Sequence, residues 1–283
     1  AKRCHEDFEL DILSAISDPM REAEGFGSKV VFPEDGVPYA PEPLIQNLGD
    51  IGKLKVSDPS TKERMNDRML SVEAMAVYAK GECAVQGWVE GPIAEACDLR
   101  GINDFMMDLA TEPKAVKELL EICTEQAIAF ALGQIEAGAD IIGIGDAAAS
   151  LIGPKMYEEF ALPYEKRIIK AIHNAGAKTR LHICGDISNI LEGTIRTGTD
   201  IVDCDWIVDF KRANELCGTK LSAYGNFDPV SVLLEGTPED VIKAVEKCLE
   251  VSSPTSIIGA GCEVPPDTNP ENLKAVARAL KQQ

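Results

Sequence analysis

Apolar residues along this chain follow two alternating rhythms. Short, near-continuous apolar runs lie at 11–18, 83–90, 140–146, 179–184, 200–206, 220–226 and 256–262, as expected for buried strands. Longer stretches with apolar positions three and four apart lie at 62–79, 113–137, 155–175 and 238–251, the spacing of amphipathic helices. Pro113, Pro154 and Pro238 stand where a first helical turn tolerates proline, and Gly138, Gly176 and Gly198 follow helical patterns as left-handed caps do. The repeating unit is βα, which predicts a parallel sheet in an α/β fold.

Seven strand-like runs fall one short of the eight that a closed (β/α)8 TIM barrel needs. A run at 29–32, followed by Pro33-Glu34-Asp35-Gly36, reads instead as one arm of a small hairpin inserted near 29–40. The chain starts almost directly with an element, so part of the barrel's amino-terminal segment is expected to be missing from the count, or the barrel closes differently. With no Ser/Gly-rich linker and no break in composition, residues 1–283 read as one barrel domain.

Composition narrows the partners. A length of 283 residues suits one such barrel, and 45% hydrophobic with 27% charged residues is globular. The net charge of −19, from 28 basic and 47 acidic residues, would repel nucleic acid over most of the surface. No apolar run is long enough to span a bilayer and the first residues carry no signal-peptide core, so a cytoplasmic protein away from membranes is expected. Nine irregularly spaced cysteines suit reduced thiols, which leaves metal chemistry open to them.

Polar residues collect where the strand runs end: Asp18, Glu90, Asp146, His182, Cys184, Asp205, Asn226 and Cys262. In a parallel barrel those ends form the rim that carries active sites, although any one acid there can equally cap a helix. His182 and Cys184 are two apart on a strand, so they face the same way and can share an ion, while Gly185 lets the chain turn off. Cys262, at the end of the last run, completes three zinc-type ligands and leaves a coordination position open, as catalytic rather than structural zinc sites do. Glu90 has two readings, a fourth ligand displaced by substrate or an acceptor for loop N–H groups. Cys83, Cys123 and Cys248 lie in apolar periodic segments and read as packing residues.

The runs His182-Ile183-Cys184-Gly185 and Gly225-Asn226-Phe227-Asp228-Pro229, with the tail from Gly261-Cys262-Glu263-Val264-Pro265-Pro266 to Leu273, resemble the uroporphyrinogen decarboxylase superfamily, and within it the zinc-dependent, corrinoid-linked methyltransferase branch. Ser17-Asp18-Pro19, Glu90-Gly91-Pro92, 160–164 and Asp205-Trp206 extend the likeness over nearly the whole chain. The decarboxylases carry a histidine where this chain has Cys262, lack the His-x-Cys pair, and grip substrate carboxylates with an arginine-bearing amino-terminal segment; only Asp18 matches their central aspartate.

The resemblance implies zinc held by His182, Cys184 and Cys262, a corrinoid (cobalamin) cofactor carried by a partner protein, and methyl transfer to or from a small molecule. That molecule is a thiol such as coenzyme M or a methyl ether such as a methoxylated aromatic. The stretch 90–100 resembles the demethylating relatives more, which favours the ether. Asp18, Glu90 and Asp146 are then candidates for orienting substrate, touching the metal or supplying a proton, and Tyr224 and Asn226 for lining the pocket. A decarboxylase-like activity, or a non-catalytic barrel that only docks a corrinoid protein, are the alternatives.

Overall fold

Seven parallel strands follow one another in sequence order across a single sheet in the computed structural model, which describes residues 1–15, 18–34 and 36–281. They are β1 (Ile12–Ser14), β2 (Ala84–Glu90), β3 (Ile141–Gly145), β4 (Lys178–His182), β5 (Ile201–Asp203), β6 (Ser222–Phe227) and β7 (Ile257–Ala260). Each overlaps one expected run. Most are shorter than expected, because the polar residues at their carboxyl ends leave the ladder for the rim loops. Residues 16 and 17 of the first run, with the Ser17 of the family likeness, and Asp35 of the hairpin lie outside the described residues.

The helices Glu63–Ala79, Pro113–Glu136 and Pro238–Glu250 stand where apolar periodicity places them. The stretch expected as one helix over 155–175 is two, Pro154–Phe160 and Leu162–Asn174, hinged at Ala161. Pro163 supplies the reason: it has no N–H to continue the first helix, but it sits comfortably in the first turn of the second. Gly138, Gly176 and Gly198 all have positive φ, as left-handed caps require. Where a hairpin is expected near 29–40, Val31 and Tyr39 form one isolated antiparallel bridge.

Alternation decides what faces inward. Gln86, Trp88 and Glu90 of β2, Arg180 and His182 of β4, Asp203 of β5 and Tyr224 of β6 belong to one set: Arg180 reaches Gln86 and Asp203, and stacks 4.0 Å from the Tyr224 ring centroid. The other set, including Val85, Val89, Leu181, Val202 and Ala223, is buried in the apolar core. Room for the Trp88 indole comes from β3, whose paired residue Gly143 and nearby Gly145 present no side chain; a Cβ at Gly145 would lie 2.8 Å from the ring.

β1 pairs with β2 as far as Gln86, whose carbonyl accepts from Ala15 N, and beyond it side chains bond the β2 backbone groups on that edge. Gln134 accepts from Trp88 N (2.9 Å) and donates to Trp88 O (2.9 Å), while Glu22 accepts from Glu90 N (2.9 Å). The described residues supply seven strands, the number counted in the sequence, in the parallel βα order of a TIM barrel. A cavity of about 420 Å³ lies where the two edges face each other, lined by Ile12 and Ser14 on one side and Ile257, Gly259 and Cys262 on the other. Among the described residues no helix is long and apolar enough to cross a membrane.

Candidate metal centre

β4 delivers His182 to the rim with its backbone still in the ladder, its carbonyl accepting from Asp146 N at 2.9 Å. Two residues on, Cys184 occupies the same face, and Gly185, at φ +85°, turns the chain away in a conformation that a side chain would strain. The turn is pinned by Gly185 N donating to Asp205 Oδ2 (2.8 Å). Cys262 arrives from the end of β7. His182 Nε2 lies 2.9 Å from Cys184 Sγ, and the two sulfurs are 3.8 Å apart. The donor atoms of all three residues fall within 4.8 Å of one another, on partly buried side chains.

Protons are shared unequally among these groups. Cys262 is held down at about 4, first by the Cys184 thiol and then by His182, so it is the thiolate of the set. Cys184 is pushed up, chiefly by its hydrogen bond to that thiolate and then by burial. Burial opposes a charge on His182, but its hydrogen bonds to Asp203 and Cys262 outweigh this and raise it to about 9. One imidazole and two sulfurs converging on a common point are the donor set that zinc takes, and cations displace the protons such groups otherwise exchange. The residues fit the metal.

Around the three stand residues that the sequence reading assigned no role. Asp203, almost fully buried, accepts from His182 Nδ1 (2.9 Å) and from Arg180 Nε at both carboxylate oxygens (2.8 and 2.9 Å). Arg180's charge, followed by the His182 hydrogen bond, overcomes the cost of burial and keeps Asp203 below the usual aspartate range. Trp88 flanks the imidazole, with ring centroids 6.0 Å apart. The two-residue alternation that singled out His182 also places Arg180 on its face, but the approach of Asp203 from β5 has no local signature.

The remaining expected residues are placed elsewhere. Asp18 is gripped by Arg21 Nε (2.9 Å) and by Arg64. Glu90 lies outside the three-donor group; it is buried, accepts from Trp88 Nε1 (3.3 Å), and is driven well above the carboxylate range by burial and then by Glu22 and Asp98. Asp146 is fully buried, accepts from Ala94 N (2.7 Å) in the first turn of helix Pro92–Arg100, and is pushed up to about 6 by burial. Tyr224 lies against Arg180, and Asn226 Nδ2 donates to the carbonyls of Asp205 (3.1 Å) and Val208 (2.7 Å), tying β6 to the loop after β5. Cys123 and Cys248 are buried packing residues, and Cys83 packs on the core edge.

Comparison with known proteins agrees with this architecture. The Uroporphyrinogen decarboxylase (URO-D) family matches residues 1–283. A methylcobamide:CoM methyltransferase of Methanosarcina mazei is 35% identical over 84% of this chain and 69% of its own length. The uroporphyrinogen decarboxylase of Chlorobaculum parvum is 28% identical over 97% of this chain and 80% of its own. Among solved structures, a methyltransferase from Methanosarcina mazei superposes with a TM-score of 0.92 at 24% identity, covering 100% of this chain and 83% of that one; this shows a shared fold, in which the three donors occupy the carboxyl-terminal rim. The chain is therefore a member of the uroporphyrinogen decarboxylase family.

Proposed function

We propose that the protein is a cytoplasmic, zinc-containing methyltransferase that moves a methyl group from a corrinoid carried by a partner protein to a small thiol. The observation that carries this reading is the convergence of His182, Cys184 and Cys262 within 4.8 Å. These residues would hold one zinc ion with a position left open, and the bound metal would lower the pKa of a thiol entering that position so that it reacts as thiolate. Transfer forms the S–CH3 bond, breaks the Co–CH3 bond with its electron pair left on cobalt, and releases the thiol proton to solvent.

The stretch 90–100 favours a methyl ether, but the 35%-identical relative is named for coenzyme M methylation, and this supports the thiol. The rim suits a large partner: Leu151, Trp206, Ile207, Val230 and Val264, from the loops after β3, β5, β6 and β7, leave apolar side chains exposed. In this reading Asp18, Glu90 and Asp146 shape the rim through Arg21, Trp88 and the helix Pro92–Arg100 rather than exchange protons, and Tyr224 and Asn226 support it from β6.

Zinc-loaded protein mixed with methylcobalamin and coenzyme M tests the reading. Loss of the methylcobalamin spectrum with formation of the methyl thioether is expected, and C262A should lose both bound zinc and at least about a hundredfold of the transfer rate. Demethylation of a methoxylated aromatic with no reaction of the thiol would replace the acceptor, and release of carbon dioxide from a porphyrinogen by metal-free protein would replace the activity.

A further inference from the structure

We infer that Asp203 is a positioning residue for the metal site, holding His182 so that its Nε2 is the nitrogen offered to the ion. The inference rests on the zinc reading above and concerns a residue outside the three ligands. An ionised carboxylate can only accept hydrogen bonds. Its contact with His182 Nδ1 at 2.9 Å therefore keeps a ring proton on Nδ1, so that Nε2, 2.9 Å from Cys184 Sγ, is the nitrogen that yields its proton to an entering ion.

Asp203 is itself unable to swing. Both its oxygens lie within 2.9 Å of Arg180 Nε, its side chain is 2% exposed, and Arg180 is fixed in turn by the Tyr224 ring at 4.0 Å and by Gln86 Oε1 at 3.4 Å. The imidazole is thus braced through β2, β4, β5 and β6 together. A carboxylate behind a metal-binding histidine fixes its ring orientation and raises its basicity, and its loss commonly weakens metal binding about 10–100-fold.

The same contacts would exist if Asp203 served only to neutralise Arg180. The two roles separate in D203N, compared with the unmodified chain for zinc affinity by competition with a chromophoric chelator and for the thermal midpoint of the metal-free protein. We expect a zinc Kd raised about 10–100-fold, beyond any change in the metal-free midpoint. Equal zinc affinity in a folded D203N overturns the inference and leaves the zinc site standing, whereas an unmodified chain that takes up no zinc overturns both. Should D203N fail to fold, ¹⁵N spectra of the zinc-loaded unmodified protein still decide: a slowly exchanging proton on His182 Nδ1 supports the assignment, and a proton on Nε2 refutes it.

Discussion

Cys184 and Cys262 come from strands far apart in the chain yet their sulfurs stand 3.8 Å apart, sharing one negative charge with His182 beside them. In the metal-free protein that arrangement stores protons on Cys184 and on His182, whose pKa is raised to about 9. Zinc must expel both, so binding at neutral pH releases about two protons, and the apparent affinity should fall by up to about a hundredfold for each pH unit of acidification below 9. Titrating zinc into weakly buffered protein measures the release directly; an affinity flat between pH 6 and 8 would contradict the shared-proton account. His182 and Cys184 were legible in sequence because strand alternation puts residues two apart on one face, and Cys262 because it ends the last strand. Asp203 was not, since its approach depends on the register between β4 and β5, which pairs Arg180 with Ile201 and Leu181 with Val202.

At the scale of elements, the packing of β2 on β3 carries the site's neighbour Trp88. The indole lies over Gly143 and Gly145, and a Cβ on Gly143 would overlap its ring. G143A should therefore cost about 1–3 kcal/mol, read as a lowered denaturation midpoint with a shifted tryptophan emission. An unchanged midpoint would mean that the indole moves aside freely. The seven strands were readable because buried parallel strands alternate with amphipathic helices. The break at Ala161 was not read from the pattern, although Pro163 carried the signal, because apolar periodicity runs through both helices in phase.

Across the whole molecule, the acidity visible in composition conceals a division between surface and interior. Glu90, Glu95 and Glu165 are buried and driven well above the carboxylate range, Glu22 is raised too, and Asp98 lies at about 7 and Asp146 at about 6, each chiefly through burial. A carboxyl raised in the folded state contributes stability that is fully present below its unfolded pKa near 4 and is withdrawn as pH rises through its folded value. For Asp98 and Asp146 that window runs from about pH 4 to 7, and the acidic excess of the chain, formally −19, adds repulsion in the same direction. The thermal midpoint should thus decline from pH 5 to pH 8, less steeply in D146N, which keeps an acceptor for Ala94 N; a D146N profile parallel to the unmodified one would contradict this assignment. None of it was legible beforehand, because composition counts carboxyls without saying which are buried. Binding of one ion by three side chains from two strand ends is tested most directly by X-ray absorption at the zinc edge of the loaded protein. We expect one zinc per chain with two sulfurs at about 2.3 Å and one imidazole nitrogen at about 2.0 Å; a shell of nitrogen and oxygen alone, or a sulfur count unchanged in C262A, would contradict this site.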